Sequence, residues 1–319
     1  MQSKINFSLT QLEYVLAVQK LGHFAKAAKH CAVTQPTLSM QIQKLEENLG
    51  VVLFDRTKKP ILLTDAGEKI IEQMQNVVFE AKKIEDLLED QNTQSYEGEL
   101  VLGIIPTLAP YLLPRLLPSM EKMFPELRLR IFEMQTHKIV EALDDDQIDV
   151  GLLAIPLKNP QIQERSLFWE PFQVLANKTH SVSKFKKLRH SQLNSEEIWL
   201  LEEGHCLRHQ VLDVCAMKKN RSKKRTFEFE SGSLETLKNL VNYYGGLTLL
   251  PELATDSIGP NTKLIPFERP IPAREVGLVF RRKYHRVRLI DALELAIRDS
   301  TPATLKKLKA GDLDVIPIE

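Results

Sequence analysis

The chain has 319 residues, enough for about two domains with their own cores, an ordinary globular composition and a net charge of +1. No apolar run reaches the ~18–20 residues that span a membrane, and the first residues lack an apolar segment followed by a small-residue cleavage site. Three cysteines do not make a secreted disulfide framework. The expectation is a cytoplasmic protein without membrane contact, in which cysteines that pair are redox-sensing or catalytic.

The charge is unevenly spread. Residues 1–64 carry eight Lys and Arg against four acids, whereas residues 65–92 carry eight acids against three lysines. A basic module followed by an acidic segment points weakly to a phosphate-backbone partner for the first. Within that module Ser8 caps a helix carrying Leu9, Leu12, Val15 and Leu16. A short helix follows over Phe24–His30, then a turn at Cys31–Val33. Cys31 reads as a packing residue. Thr34 caps a third helix with Pro36 in its first turn, where the missing N–H costs nothing. Leu38, Ile42, Leu45 and Leu49 face the core, while Thr37, Met40, Gln41 and Lys44 form another face, polar apart from Met40. Two apolar runs, Val51–Phe54 and Ile61–Leu63, flank the basic turn Arg56–Pro60 and predict a hairpin wing. This is a winged helix-turn-helix over 1–64.

The stretch FAKAAKHCAVTQPTLSMQIQKLEENLGVVLFDR, with LTDAG after it, resembles the DNA-binding domain of the LysR-type transcriptional regulators. The resemblance implies that Gln35, Thr37 and Gln41 enter the major groove of promoter DNA. It also implies that Arg56 meets the adjacent backbone or minor groove. Met40 stands where the family often has arginine, and an apolar side chain there favours a thymine methyl over a guanine.

From Asp65 to about Gln91 the pattern predicts one long helix. Ile70, Met74, Val77, Ala81, Ile84 and Leu88 alternate spacings of four and three, an a/d stripe that suggests a dimer seam over 65–93. Asn92–Ser95 reads as a hinge. The remainder, 94–319, alternates strands and helices. Strands are expected at Leu100–Ile105, Leu127–Phe132, Ile148–Ala154, Pro171–Ala176, Ile198–Leu201, Thr226–Glu230, Leu247–Leu250 and Val276–Phe280. Helices are expected at Leu108–Met123, capped by Thr107, at Thr136–Asp145, from Cys206, at Ser233–Tyr243 and at His285–Lys309. Such alternation predicts an α/β domain with parallel-type sheets. The family resemblance implies two subdomains arranged like a periplasmic binding protein, 94–168 with 272–319 and 169–271.

The most informative stretch is Leu200–Cys215. Gly204 breaks the chain, and Leu207, Val211 and Val214 then recur at helical spacing. Cys206 falls in the first turn, where backbone N–H groups favour an anion; His205 and Arg208 add donors or positive charge. Nine residues of helix rise about 13.5 Å and turn Cys206 and Cys215 to opposite sides, whereas a disulfide needs Cα atoms within roughly 7 Å. The two can join only if the helix comes apart.

Gly-His-Cys-Leu-Arg, with a second cysteine nine residues on, resembles the sensing segment of the peroxide-responsive members of the same family. That resemblance implies a peroxide pocket of Thr107, Thr136, His205, Cys206 and Arg274, with Cys206 attacking hydrogen peroxide and Cys215 resolving it as a reversible disulfide. Thr107 and Thr136 have a plainer reading as helix caps, and His137 is a nearby candidate without a role. The resemblance further implies a homo-oligomer, dimer or tetramer, and RNA polymerase as a partner. No cofactor and no metal are expected: there is no zinc-like Cys/His spacing and no C-x-x-C of a thiol reductase. The alternative is a family member that responds to a small metabolite in the domain cleft. The basic run Lys218–Arg225 reads as a solvated loop.

Overall fold

The computed structural model describes residues 6–92, 96–193, 198–214, 231–282, 284, 286–308 and 310–318. Two compact units emerge, one of residues 1–94 and one of 95–282 with 287–319.

The first unit begins with α1 (Leu9–Leu21), α2 (Phe24–His30) and α3 (Gln35–Leu49). Ser8 and Gln11 close a reciprocal capping box on α1, and Thr34 accepts from the Thr37 N–H at the start of α3. Leu38, Ile42 and Leu45 are fully buried with Leu12, Val15 and Val18. The wing is shorter than the apolar runs suggest: β1 (Phe54–Asp55) pairs with β2 (Leu62–Leu63). Its base is tied down by Glu46, which is 8% exposed. One oxygen accepts from the Leu53 N–H at 2.7 Å, and the other meets Arg56 at 3.1 Å.

Helix α4 (Asp65–Asn92) divides the predicted stripe. Met74 is buried in the unit's own core, with Ile70 and Val77 packed beside it. Ile84 is 61% exposed. The near half of the stripe therefore serves this domain, and only the far half is left for a partner. Leu88 and most of the hinge lie outside the described side chains.

The second unit is built on β3 (Gly98–Ile104), α5 (Ala109–Met123), β4 (Leu127–Glu133), α6 (Thr136–Asp144), β5 (Val150–Ile155) and β6 (Ile162–Asn177). Then come α7 (Cys206–Val214), α8 (Leu234–Tyr243), β7 (Leu247–Pro251), β8 (Thr262–Pro266), β9 (Ile271–Arg281), α9 (Val287–Ser300), α10 (Ala303–Lys306) and β10 (Leu313–Val315). The sheet runs β4-β3-β5-β9-β6-β7, with β10 on β9 and β8 on β6. It is mixed rather than parallel throughout: β3 is parallel to β4 and β5, but β9 runs against β5 and β6, and β6 against β7 and β8. The expected boundary at 168/169 falls inside β6, which is one continuous strand. Its first half pairs with β9 and its last residues with β7 and β8. The expected strand Ile198–Leu201 reduces to one bridge from Ile198 to Leu247, and Thr226–Glu230 lies outside the described residues. The last predicted helix is interrupted at Thr301–Pro302, because proline cannot donate to a continuing helix.

Two packing features place the site. Helix α6 lies so close to the sheet that a Cβ on Gly151 would meet Ile139 at 2.5 Å, which fixes the start of α6 over the strand ends. Helix α7 buries Leu207, Val211 and Val214, at 1%, 3% and 2% exposure, among residues of β6, α8 and β7. The spacing read from the sequence is the buried face.

Glu46→Ala leaves the Leu53 N–H and Arg56 without their acceptor. The expected loss is about 1–3 kcal/mol in the first unit, seen as faster amide exchange of α1–α3 while the strands of the second unit keep their protection.

Candidate functional site

The outward face of α3 carries Gln35, Thr37, Met40 and Lys44, all exposed, Met40 by 60%. Gln41 is half-buried and oriented by α1: Gln11 Nε2 donates to Gln41 Oε1 at 3.1 Å, while Gln11 Oε1 accepts from the Ser8 N–H at 3.0 Å. Arg56 also makes contacts within its own domain. Its guanidinium lies 3.1 Å from Glu46, donates to Ser39 Oγ at 3.4 Å and sits 5.1 Å from the Phe24 ring centre. It braces the wing against α3, and Lys58 and Lys59 in the same turn are exposed.

In the second unit, antiparallel register sets Glu170 of β6 directly opposite Arg274 of β9. Both are fully buried. Arg274 Nε and Nη2 each reach Glu170 Oε2 at 2.8 Å, Nη1 donates to Thr107 Oγ1 at 2.8 Å, and Nη2 to the Thr107 carbonyl at 3.2 Å. Glu170 Oε1 accepts from the Leu253 N–H at 2.9 Å. Thr107 is not the cap of α5; Leu108 holds that position without a side-chain bond. The Thr107 oxygen accepts from Arg274, which leaves its own O–H to donate elsewhere.

Thr136 is the first residue of α6, and Gln135 occupies the cap position without a side-chain bond. The Thr136 hydroxyl is buried with no hydrogen-bond partner of ordinary geometry, yet it lies near enough to the Cys206 sulfur to favour the thiolate. Cys206 opens α7 and is half-buried. Burial pushes its thiol above the usual cysteine value. Arg274, Thr136 and the backbone N–H groups of Leu207 and Cys206 pull the other way without prevailing. This corrects two expectations. The cation acting on the sulfur is Arg274 rather than Arg208, whose Nη1 donates to the Leu201 carbonyl at 2.6 Å. The helix start does favour the anion, but burial outweighs it.

His205 is 5% exposed, with Nε2 lying 3.3 Å from Gln135 Nε2 and 3.5 Å from Glu202 Oε1. Gly204 permits this approach: its φ is +90°, and a Cβ there would meet the Gln135 side chain at 2.9 Å. A cleft of about 390 Å³ lies in front, lined by Pro106, Tyr111, Gln135, Lys138, Glu202 and His205 among others. His137 points to no shared task; it is exposed. Cys215 and the basic run lie outside the described residues. Cys31 packs half-buried in the first unit, and burial followed by Glu13 raises its thiol pKa. Among the described residues no three His, Cys, Asp or Glu side chains are grouped to hold a metal.

Thr136 and Arg274 act on the Cys206 sulfur, Thr107 is bound to Arg274, and the His205 ring faces Gln135 and Glu202. Sequence reasoning missed Glu170, Gln135 and Glu202. Glu170 lies 104 residues from its partner, and only strand register brings them together.

Residues 9–68 match the family of bacterial regulatory helix-turn-helix proteins, lysR family, and residues 93–302 match the LysR substrate binding domain. The hydrogen peroxide-inducible genes activator of Haemophilus influenzae is 35% identical, over 95% of this chain and all of that one. The DNA-binding transcriptional dual regulator OxyR of Escherichia coli is 36% identical, over 86% and 89%. Among solved structures, a full-length OxyR cysteine-to-aspartate variant from Pseudomonas aeruginosa is 34% identical with a TM-score of 0.70, over 92% of this chain and 98% of that one. An H2O2-bound OxyR cysteine-to-serine mutant from Corynebacterium glutamicum is 29% identical with a TM-score of 0.61, over 93% and 94%. The chain belongs to the LysR family of bacterial transcriptional regulators.

Proposed function

We propose that this regulator is switched by hydrogen peroxide at Cys206 and controls oxidative-stress genes. The observation that carries the reading is a recessed Cys206 sulfur at the head of α7, with the buried Thr136 hydroxyl and the Arg274 charge acting on it. A small two-oxygen ligand fits donors placed beside a sulfur in this way. The relatives named hydrogen peroxide-inducible genes activators support it.

The chemistry follows from the donors. The Cys206 thiolate attacks one peroxide oxygen; the S–O bond forms, the O–O bond breaks, and the departing hydroxide takes a proton to become water. Thr107, Thr136 and His205 hold the two oxygens in line, and Arg274 stabilises the departing charge. The Cys215 thiol then attacks the sulfenic sulfur, forming a disulfide and releasing a second water. Peroxide is reduced and two thiols are oxidised. Because α7 cannot keep its helical form in that linkage, its unwinding biases the DNA-bound arrangement.

Promoter DNA is the partner of the first unit. Gln35, Thr37, Met40, Gln41 and Lys44 read the major groove, and the turn around Arg56 meets phosphates. A second copy joins through the exposed part of α4, in a dimer or tetramer, and RNA polymerase is the downstream partner. The site of action is the cytoplasm. Among the described residues no helix is long and apolar enough to cross a membrane. A second reading, response to a small metabolite, draws on the cleft of about 390 Å³.

Cys206→Ser abolishes the peroxide response, whereas Cys215→Ser still reacts but proceeds to sulfinic and sulfonic forms. Peptide mass spectrometry after one equivalent of peroxide checks both; a wild-type chain without a Cys206–Cys215 link favours the metabolite reading. Thr37→Ala changes base preference, while Lys58→Ala weakens all sequences alike and lowers the salt slope by about one. Binding profiles across promoters and salt decide between these. Ile84→Lys lowers the assembly state in sedimentation velocity, and an unchanged mass removes this part of α4 from the interface.

A further inference from the structure

Two helix starts meet in the second unit. Gln135 and Thr136 stand at the start of α6, and His205 and Cys206 at the start of α7. Helix α6 packs on β5, whereas α7 packs among β6, α8 and β7. Gln135 joins the two. Its Nε2 lies 3.4 Å from Glu202 Oε1 and 3.3 Å from His205 Nε2. The surroundings are tight: a Cβ on Gly204 would meet the Gln135 side chain at 2.9 Å, and a Cβ on Gly232 would meet both Glu202 Oε1 and His205 Nε2 at 2.9 Å. The Glu202 N–H donates to the Ser231 carbonyl at 3.0 Å, which anchors the backbone that carries the carboxylate. His205 itself is 5% exposed, so its ring nitrogens find their partners inside the protein.

These partners fix where the protons are. An ionised carboxylate only accepts, so the amide turns its nitrogen and not its oxygen toward Glu202. The same nitrogen faces His205 Nε2, and its second N–H can bond there only if Nε2 carries no proton. A neutral imidazole whose Nε2 accepts has its proton on Nδ1. The rival arrangement, Nε2–H donating directly to Glu202, would have to span 3.5 Å, longer than an ordinary hydrogen bond. We propose that Gln135 is a positioning residue of the sensor: oriented by Glu202, it occupies Nε2 of His205 and leaves Nδ1–H as the donor that the neutral ring can offer to peroxide. The inference rests on the reading of His205 as part of the peroxide pocket.

The test reads the proton directly. The full chain, labelled isotopically in its histidine rings, is followed by NMR through the ring-nitrogen shifts, with the His205 signals identified by their loss in His205→Asn. In wild type, at a pH where the ring is neutral, His205 should be the Nδ1–H tautomer. Gln135→Met keeps the length of the side chain without its N–H groups, and His205 should change to the Nε2–H form that faces Glu202. Oxidation of Cys206 by hydrogen peroxide, followed by peptide mass spectrometry, should slow about three- to tenfold in Gln135→Met, the size of one lost hydrogen bond. A side chain that only spaced the two helices apart would select no tautomer. An Nε2–H ring in wild type overturns the proposal before any variant is made, and an Nδ1–H ring that persists in folded Gln135→Met overturns it as well. A tautomer change with an unchanged oxidation rate overturns the positioning role. Peroxide does not enter the NMR measurement. A wild-type Cys206 inert to peroxide would sink the sensing role, while the tautomer of His205 would still decide whether Gln135 sets the ring.

Discussion

The pairing of β6 with β9 is the constraint on which the regulatory unit depends. β6 continues past β9 to pair with β7 and β8, and the β6–β9 register decides what meets in the middle. Opposite residues on antiparallel strands share a face, with side chains about 5 Å apart at the Cβ. Glu170 and Arg274 are therefore bound to meet once the register is set. A slip of one residue in either strand would send one of the two to the other face and leave its partner a buried, unpaired charge. The pair thus makes the register costly to change.

Helix α7 is held by a different force. Leu207, Val211 and Val214 are almost wholly buried, and each such side chain contributes about 1.5–3 kcal/mol. Closing a loop of this length with a disulfide contributes only about 3 kcal/mol. Chain entropy alone therefore does not unwind the helix. The oxidation itself must drive the change, and the reduced helix is restored when the bond is reduced.

Much of this was legible in the chain, and the misses share a cause. The cap at Thr34, Pro36 and the spacing of Leu38, Ile42 and Leu45 all express local physics, so α3 was readable as it stands. The buried face of α7 was readable for the same reason. The first half of β6 was not: a register shift between Ser166 and Phe168 breaks the alternation that marks a strand. Arg274 sits in a strand interior where polarity argues against burial, and its partner is remote in sequence. Thr107 looks like a cap because its neighbours are helical; only the tertiary structure reveals the guanidinium it serves. In α4 the stripe was real, but sequence could not say that Met74 would turn inward to the domain's own core.

The half-buried position of Cys206 has a bearing on fidelity. A cell's interior contains many electrophiles and disulfides that are far more abundant than peroxide. An open, fully ionised thiol would respond to all of them. The sulfur is recessed at the head of α7, where burial pushes its thiol up. In the proposed switch, such a recess favours a small oxidant over a bulky one. Under that proposal, the recess would act as a filter by size.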